Sequence, residues 1–318
     1  MSAHGFTSAF ASELDAYLAF KEKMGFYGSS RVWYLKKFDS YCAMHNRTVF
    51  DRETVEGWVI ERLERSGCYR SWMSYIRDLG RWLHVHGRTD AYVLSDRWKA
   101  TFVPAHPYLL NGQEIEAFFA AAARLEARSP WRWQAVAFFA LMHCCGLRTG
   151  ETRQLTPERV HLPDGQIDIV CSKGNRSRQL PLSGEVLDVL VACDRVSRDR
   201  FGASRHAFFI SAAGGQVTAS SVGQVFNRIW DEAGLPRPAG GQQPRPYDFR
   251  HHFAYANVER WARQGRDVTA MLPYLARYMG HASIESSYYY IHTSPDFMGD
   301  YAQITTDMSR SLLPEVGF

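Results

Sequence analysis

The stretch YMGHASIESSYYYIH, residues 278–292, decides how this chain is read. An apolar helical pattern covers about 268–279 and stops at Gly280, a usual helix terminator. His281 follows at once. A second helical pattern over about 283–291 then carries three consecutive tyrosines, Tyr288, Tyr289 and Tyr290, ahead of His292. Taken alone, His281 reads as a capping histidine and Tyr290 as one member of an aromatic stripe.

Upstream of this stretch the chain reads as two parts. Helical spacing predicts four helices in the first hundred residues: about 8–24 (Phe10, Leu14, Tyr17, Leu18), 30–45 (Val32, Leu35, Phe38, Cys42), 52–65 (Val55, Trp58, Val59, Leu63) and 69–86 (Trp72, Ile76, Leu79, Leu83). The pattern breaks over 88–108, where Pro104 and Pro107 stand, and this stretch is expected to hold the linker, at 101–108. A second domain over 109–318 opens with Asn111 and Glu114, spaced as a capping box, and Ser129-Pro130 starts another helix. Ile167–Cys171 and Arg178–Leu182, joined by a Gly-containing turn, predict a β-hairpin, and Ala207–Ile210 a third strand. Helical patterns follow at about 219–233 and 248–264, and a C-terminal helix is expected after Ser294-Pro295. The expected class is α+β, mostly α: a small all-α bundle followed by a mixed domain with a small sheet.

The 318 residues suit two domains, and 46% hydrophobic residues suit ordinary globular cores. No apolar run approaches the roughly 20 residues that span a bilayer, and the N-terminus lacks a signal-peptide pattern. A cytoplasmic location without membrane attachment is therefore expected. Six cysteines in this length do not suggest a disulfide framework, and adjacent Cys144 and Cys145 read as buried free thiols. The net charge of +4 is mildly basic, which weakly favours a polyanionic partner.

Chemistry-bearing residues concentrate in five segments: GLRTGE at 146–151, SKGNRSRQLPL at 172–182, YDFRHHF at 247–253, YMGH at 278–281 and SSYYYIH at 286–292. Singly, each has a plain structural reading. Arg148 suits a salt-bridged surface arginine, Lys173 a solvated turn lysine and Arg250 a helix-surface arginine. Together and in this order they resemble the tyrosine recombinase, or phage integrase, family over roughly residues 110–293. The family's Gly-His, then a tyrosine nine positions on and a histidine two further, is matched by Gly280-His281, Tyr290 and His292. That register singles out Tyr290 from its two neighbours. The helical first domain is similar to the family's DNA-clamping domain, and the stretch PYLARYMGHASIESSYYYIHTSPDF also resembles recombinases carried by bacterial mobile elements.

The resemblance implies a role for each matching residue. Arg148 and Arg250 would bind the non-bridging oxygens of a DNA phosphodiester with planar, bidentate forks. Tyr290 would be the nucleophile, Lys173 the general acid for the leaving 5′-oxygen, and His281 a donor to the phosphate. Glu151, three residues after Arg148, would orient it, and Arg176 and Arg178 would contact phosphates. One slot departs from the pattern. The family usually has His-x-x-Arg, whereas this chain has Tyr247-Asp248-Phe249-Arg250. A phenol can donate to phosphate but is a poor base at neutral pH, which leaves the base role to water or His251. Double-stranded DNA with specific sites is the implied partner, a homotetramer on paired sites the implied assembly, with room for accessory proteins and no cofactor required.

Other classes of function share parts of this pattern. Metal chemistry has His251, His252, His281 and His292 to draw on, but no HExxH, CxxC or H-x-E…C-x-x-C spacing, so no metal is expected. A type IB topoisomerase shares the chemistry, and a non-catalytic DNA-binding protein could share the fold. In the latter the five reactive positions would decay, whereas all are present here.

Overall fold

In the computed structural model, the apolar stripes of the N-terminal hundred residues become four helices around one core. The structure describes residues 2–26, 28–66, 72–98, 107–126, 128–172, 176–240 and 242–281. The chain divides into two compact units, Met1–Pro104 and Ala105–Phe318.

In the first unit, α1 (Ala11–Lys23) buries Leu14, Tyr17 and Leu18, and α2 (Ser29–Met44) buries Leu35, Phe38 and Cys42. Helix α3 (Arg52–Ser66) adds Val55, Trp58 and Val59, and α4 (Met73–Val85) adds Ile76, Leu79 and Leu83. Residues three and four apart share a face, so each stripe meets the same core. Phe38 lies edge-on to Phe50 at 5.5 Å and to Trp58 at 5.4 Å. A polar tie closes the bundle: Asp78 on α4 accepts the Tyr17 hydroxyl at 2.7 Å and pairs with Lys21 and Arg31 at 2.7 and 2.8 Å.

The reading of 88–108 as unpatterned linker is corrected for its first half. Residues 88–98 belong to the bundle, where Ala91 and Leu94 are buried and Asp96–Trp98 makes a short 3-10 turn. Tyr92 N donates to Phe50 O at 2.7 Å, and Arg77 donates to Leu94 O and Ser95 O at 2.8 and 3.1 Å. Irregular chain held by backbone bonds and a buried arginine leaves no helical stripe for sequence reasoning to find. Gly80 in α4 allows the approach: a Cβ there would lie 2.7 Å from Tyr92 O.

The second unit starts at α5 (Gly112–Ala123), where the Asn111 side chain accepts from Glu114 N and Glu114 accepts from Asn111 N, both at 2.9 Å. This is the reciprocal box its spacing predicts. Helix α6 (Trp131–Cys144) is buried along most of its length. Five-residue α7 (Thr149–Arg153) follows the turn after it. Strands β1 (Val160–His161), β2 (Gln166–Ser172) and β3 (Arg176–Pro181) form an antiparallel sheet in the order β1-β2-β3, with Ile167 opposite Leu180 and Ile169 opposite Arg178. Helices α8 (Gly184–Phe201), α9 (Ala219–Glu232), α10 (Asp248–Arg263) and α11 (Val268–Met279) complete the described part.

The third strand is thus Val160–His161, not Ala207–Ile210. The latter segment makes a single bridge, Ile210 to Gln216, while Phe208 N bonds Leu155 O and both phenylalanines of the segment are buried. Burial of two adjacent rings mimics a strand signal without a ladder. Helix α8 lies where the sequence reading predicts no helix, although Ser183 caps it and Gly202 follows its end at φ 82°. Cys145 is buried as expected, but Cys144 is exposed. The expected C-terminal helix after Ser294-Pro295 lies outside the described residues. No described helix is long and apolar enough to cross a membrane.

Candidate active site

Phe249, fully buried, sits against Phe118 at 5.0 Å and Phe139 at 5.9 Å. It pins α10 to the core, and the residue after it is Arg250. The Arg250 side chain is itself 0% exposed. It donates to Gly146 O, and from Nη2 to Met279 O at 2.7 Å. One guanidinium thereby holds together the turn after α6 and the end of α11. An ion this deep is tolerable only with such partners.

Both partner carbonyls depend on a glycine. Gly146 has φ +61°, and a Cβ there would fall 2.5 Å from the Phe253 ring. Gly280 closes α11 in the left-handed region, so that His281 N reaches back to Ala276 O at 2.9 Å. This termination places His281, buried, beside the arginines.

Arg148 stands just before α7, where the free amides of the first turn favour a carboxylate. Glu151, three residues on, accepts from Arg148 N at 2.9 Å and from Arg148 Nη1 at 2.6 Å. Glu151 thus contacts both the backbone and the guanidinium of Arg148. Arg148 Nη2 donates to Gly280 O at 2.8 Å. Arg148 and Arg250 thus hold successive carbonyls of the turn that presents His281. Arg250 Nη1 lies 3.8 Å from Glu151.

Burial first, then the charges of Arg250, Arg148 and Arg178, push the His281 imidazole down to about 3. The ring is neutral at physiological pH and offers one N–H. Burial, with Arg245 and Arg250 nearby, likewise brings His251 down to about 4. The Tyr247 ring meets His251 edge-on at 5.0 Å, one turn along α10.

The fork of Arg178, a residue expected from the sequence to contact a DNA phosphate, is paired with Glu151 at 3.1 Å (Nη1) and 2.8 Å (Nη2), and its side chain is 10% exposed. On β3 the alternation of side chains turns this residue toward α7. Sequence reasoning missed the inward pairing because nothing local distinguishes one arginine of a basic hairpin from another.

Among the expected site residues, the structure brings together Arg148, Glu151, Arg178, Arg250, His251 and His281, with Tyr247 beside His251. Lys173 and Tyr290 lie outside the described residues, as does the Arg176 side chain. The described cluster has three guanidiniums on one carboxylate with a neutral imidazole beside them, an excess of positive charge in a poorly solvated place. Such an arrangement suits an oxyanion with several acceptor oxygens.

Comparison with known proteins agrees. The profile of the Phage integrase family matches residues 109–296. The integrase/recombinase-type protein y4rE of Sinorhizobium fredii is 26% identical over 94% of this chain and 96% of its own. Tyrosine recombinase XerC of Nitrobacter winogradskyi is 31% identical over 52% of this chain and 48% of its own. Among solved structures, the Tn1549 transposon integrase in complex with circular intermediate DNA superposes with a TM-score of 0.61, at 16% identity, over 92% of this chain and 99% of that one.

Proposed function

The chain belongs to the phage integrase family and is a tyrosine-type DNA recombinase, an enzyme of DNA strand breakage and rejoining; from that premise we propose that it acts at specific sites through a 3′-phosphotyrosine at Tyr290, in the integration, excision or transposition of a mobile element. The observation that carries the mechanism is the convergence of Arg148, Arg250 and His281 on one turn, with Tyr290 nine residues beyond His281.

In this reading the two guanidiniums and the His281 N–H hold the non-bridging oxygens of the scissile phosphate. The Tyr290 phenol oxygen attacks phosphorus, and its proton passes to water or to neutral His251. The P–O bond to the 5′-oxygen breaks as the tyrosyl bond forms. Lys173 protonates the leaving oxygen. Rejoining runs the same steps in reverse with a new 5′-hydroxyl, so no bond energy is lost and no nucleotide cofactor is consumed. Tyr247 donates a hydrogen bond to the phosphate in place of the family's histidine. Preorganised donors of this kind each lower the barrier by about 3–4 kcal/mol.

Residues 1–100 would grip duplex DNA, as would the catalytic domain at 109–318, with 101–108 as the linker. Arg176 would add a backbone phosphate contact, which contributes affinity but no sequence reading. The working assembly would be a homotetramer on two sites. The mobile-element setting is supported by the likeness to integrase-type proteins and to the transposon integrase.

The test is a nicked suicide duplex carrying candidate element ends. A covalent adduct mapped to Tyr290, absent in Tyr290→Phe, and recombinant products from paired sites are expected. An adduct that persists in Tyr290→Phe defeats the assignment of the nucleophile. Relaxation of supercoils without recombinants would make the chain a topoisomerase.

A further inference from the structure

We propose that Arg178 is a positioning residue, acting on the phosphate-binding arginines through Glu151 and the Gly280 turn, and not a contact to DNA. This rests on the function proposed above.

Among the described residues, four N–H groups meet the two oxygens of Glu151: the backbone and Nη1 of Arg148, and Nη1 and Nη2 of Arg178. Arg148 comes from the start of α7 and Arg178 from β3. Glu151 is therefore the common partner of two elements that otherwise carry separate parts of the site. With both arginines in place the carboxylate plane is held from two sides. A side chain locked by such a surrounding layer holds its neighbour to the tolerance that catalysis needs.

The second contact of Arg178 is steric. A Cβ on Gly280 would lie 2.7 Å from Arg178 Nη1 and 3.1 Å from its Cζ. The guanidinium thus packs directly on the glycine whose carbonyl receives Arg148 Nη2 at 2.8 Å. Glu151, Arg148, Gly280 and Arg178 form a closed ring of contacts. His281, the next residue, feels the charge of all three arginines. Arg178 reaches Arg148 and His281 by two independent routes, the Glu151 carboxylate and the Gly280 backbone.

Charge balance sharpens the proposal. Among the described residues Glu151 is the carboxylate that faces Arg148, Arg178 and Arg250, so neutralising it alone raises the repulsion between them. Neutralising Arg178 as well removes one of the repelling ions.

The experiment compares wild type, Arg178→Gln, Glu151→Gln and the double variant. It uses the nicked duplex on which the wild-type adduct is mapped. Three quantities are read: the single-turnover adduct rate at saturating DNA, the salt dependence of duplex affinity, and the melting temperature. For Arg178→Gln the rate is expected to fall about 10- to 100-fold, the scale of a misplacement of about 1 Å, with the salt slope unchanged. The double variant is expected to be no slower than Glu151→Gln and to melt above it. Arg178→Lys, which keeps the charge without the fork, is expected to lie between wild type and Arg178→Gln.

A salt slope lower by about 0.9 in Arg178→Gln, with the saturated rate intact, would make Arg178 a phosphate contact and overturn the proposal. Additive losses in the double variant would overturn the route through Glu151. If wild type itself forms no adduct on any duplex, the functional reading fails and this proposal with it. A wild-type adduct with unaltered rates in Arg178→Gln defeats this proposal alone.

Discussion

Arg250 and Met279 are joined by a 2.7 Å hydrogen bond from Nη2 of the first to the carbonyl of the second. The bond ties α10 to the last turn of α11, where unsatisfied carbonyls and the helix dipole both favour a cation. The same guanidinium serves Gly146 O, so a residue proposed to bind phosphate also holds the scaffold.

Arg250→Ala is accordingly expected to lose both stability and adduct formation. Two buried carbonyls would be orphaned, at about 1–3 kcal/mol each. Arg250→Lys can satisfy only one of them with the same direction, so it should recover part of the stability and little of the cleavage. Urea unfolding beside adduct assays separates the two effects. Full stability in Arg250→Ala would contradict the scaffold role.

Gly146→Ala is expected to be among the most damaging small substitutions in the second unit. The left-handed backbone costs an L-residue about 1–2 kcal/mol, and the methyl would meet the Phe253 ring. Overpacking adds about 1–3 kcal/mol. Gly165→Ala, also at positive φ but with only Leu187 at 3.8 Å, should show the backbone cost alone. Thermal melts of the two variants would check this, and equal losses would refute it.

Stability should fall on acidification from about pH 6.5 toward 4. His143 stacks on His252 at 5.1 Å, and burial, then His252, bring it down to about 4. A histidine depressed in the folded state contributes fully above its unfolded value, and that contribution is lost as pH falls through the folded one. His251, at about 4, and His281, at about 3, act in the same sense. Asp248 opposes them: burial raises it to about 6, so its contribution is present at low pH and lost as pH rises through 6. Three histidines outweigh one aspartate. Melting temperatures at stepped pH should decline below 6.5, and less steeply in His143→Phe; an unchanged slope in that variant would count against His143.

Tyr247→His should remain active and raise the adduct rate near neutral pH, because an imidazole both donates to phosphate and accepts a proton. Tyr247→Phe should lower the rate, having lost the donor. An inactive Tyr247→His would show that this position is not the family's histidine slot. The pH–rate profiles of the three proteins make the comparison.

The sequence alone determined the family, the mostly helical class and the helices with clear apolar stripes, because periodicity and motif order are local and additive along the chain. It also placed the Asn111–Glu114 box and the stop at Gly280, where a few adjacent residues complete the hydrogen bonds themselves. Tertiary structure decided the rest. Only folding could show that Arg178 turns inward to Glu151, that Arg250 bridges carbonyls of residues 146 and 279, and that Val160–His161 rather than Ala207–Ile210 joins the sheet. Each of these is a choice among distant partners. An arginine carries the same charge and donors wherever it lies, so its partner is selected by the backbone that brings an acceptor within reach.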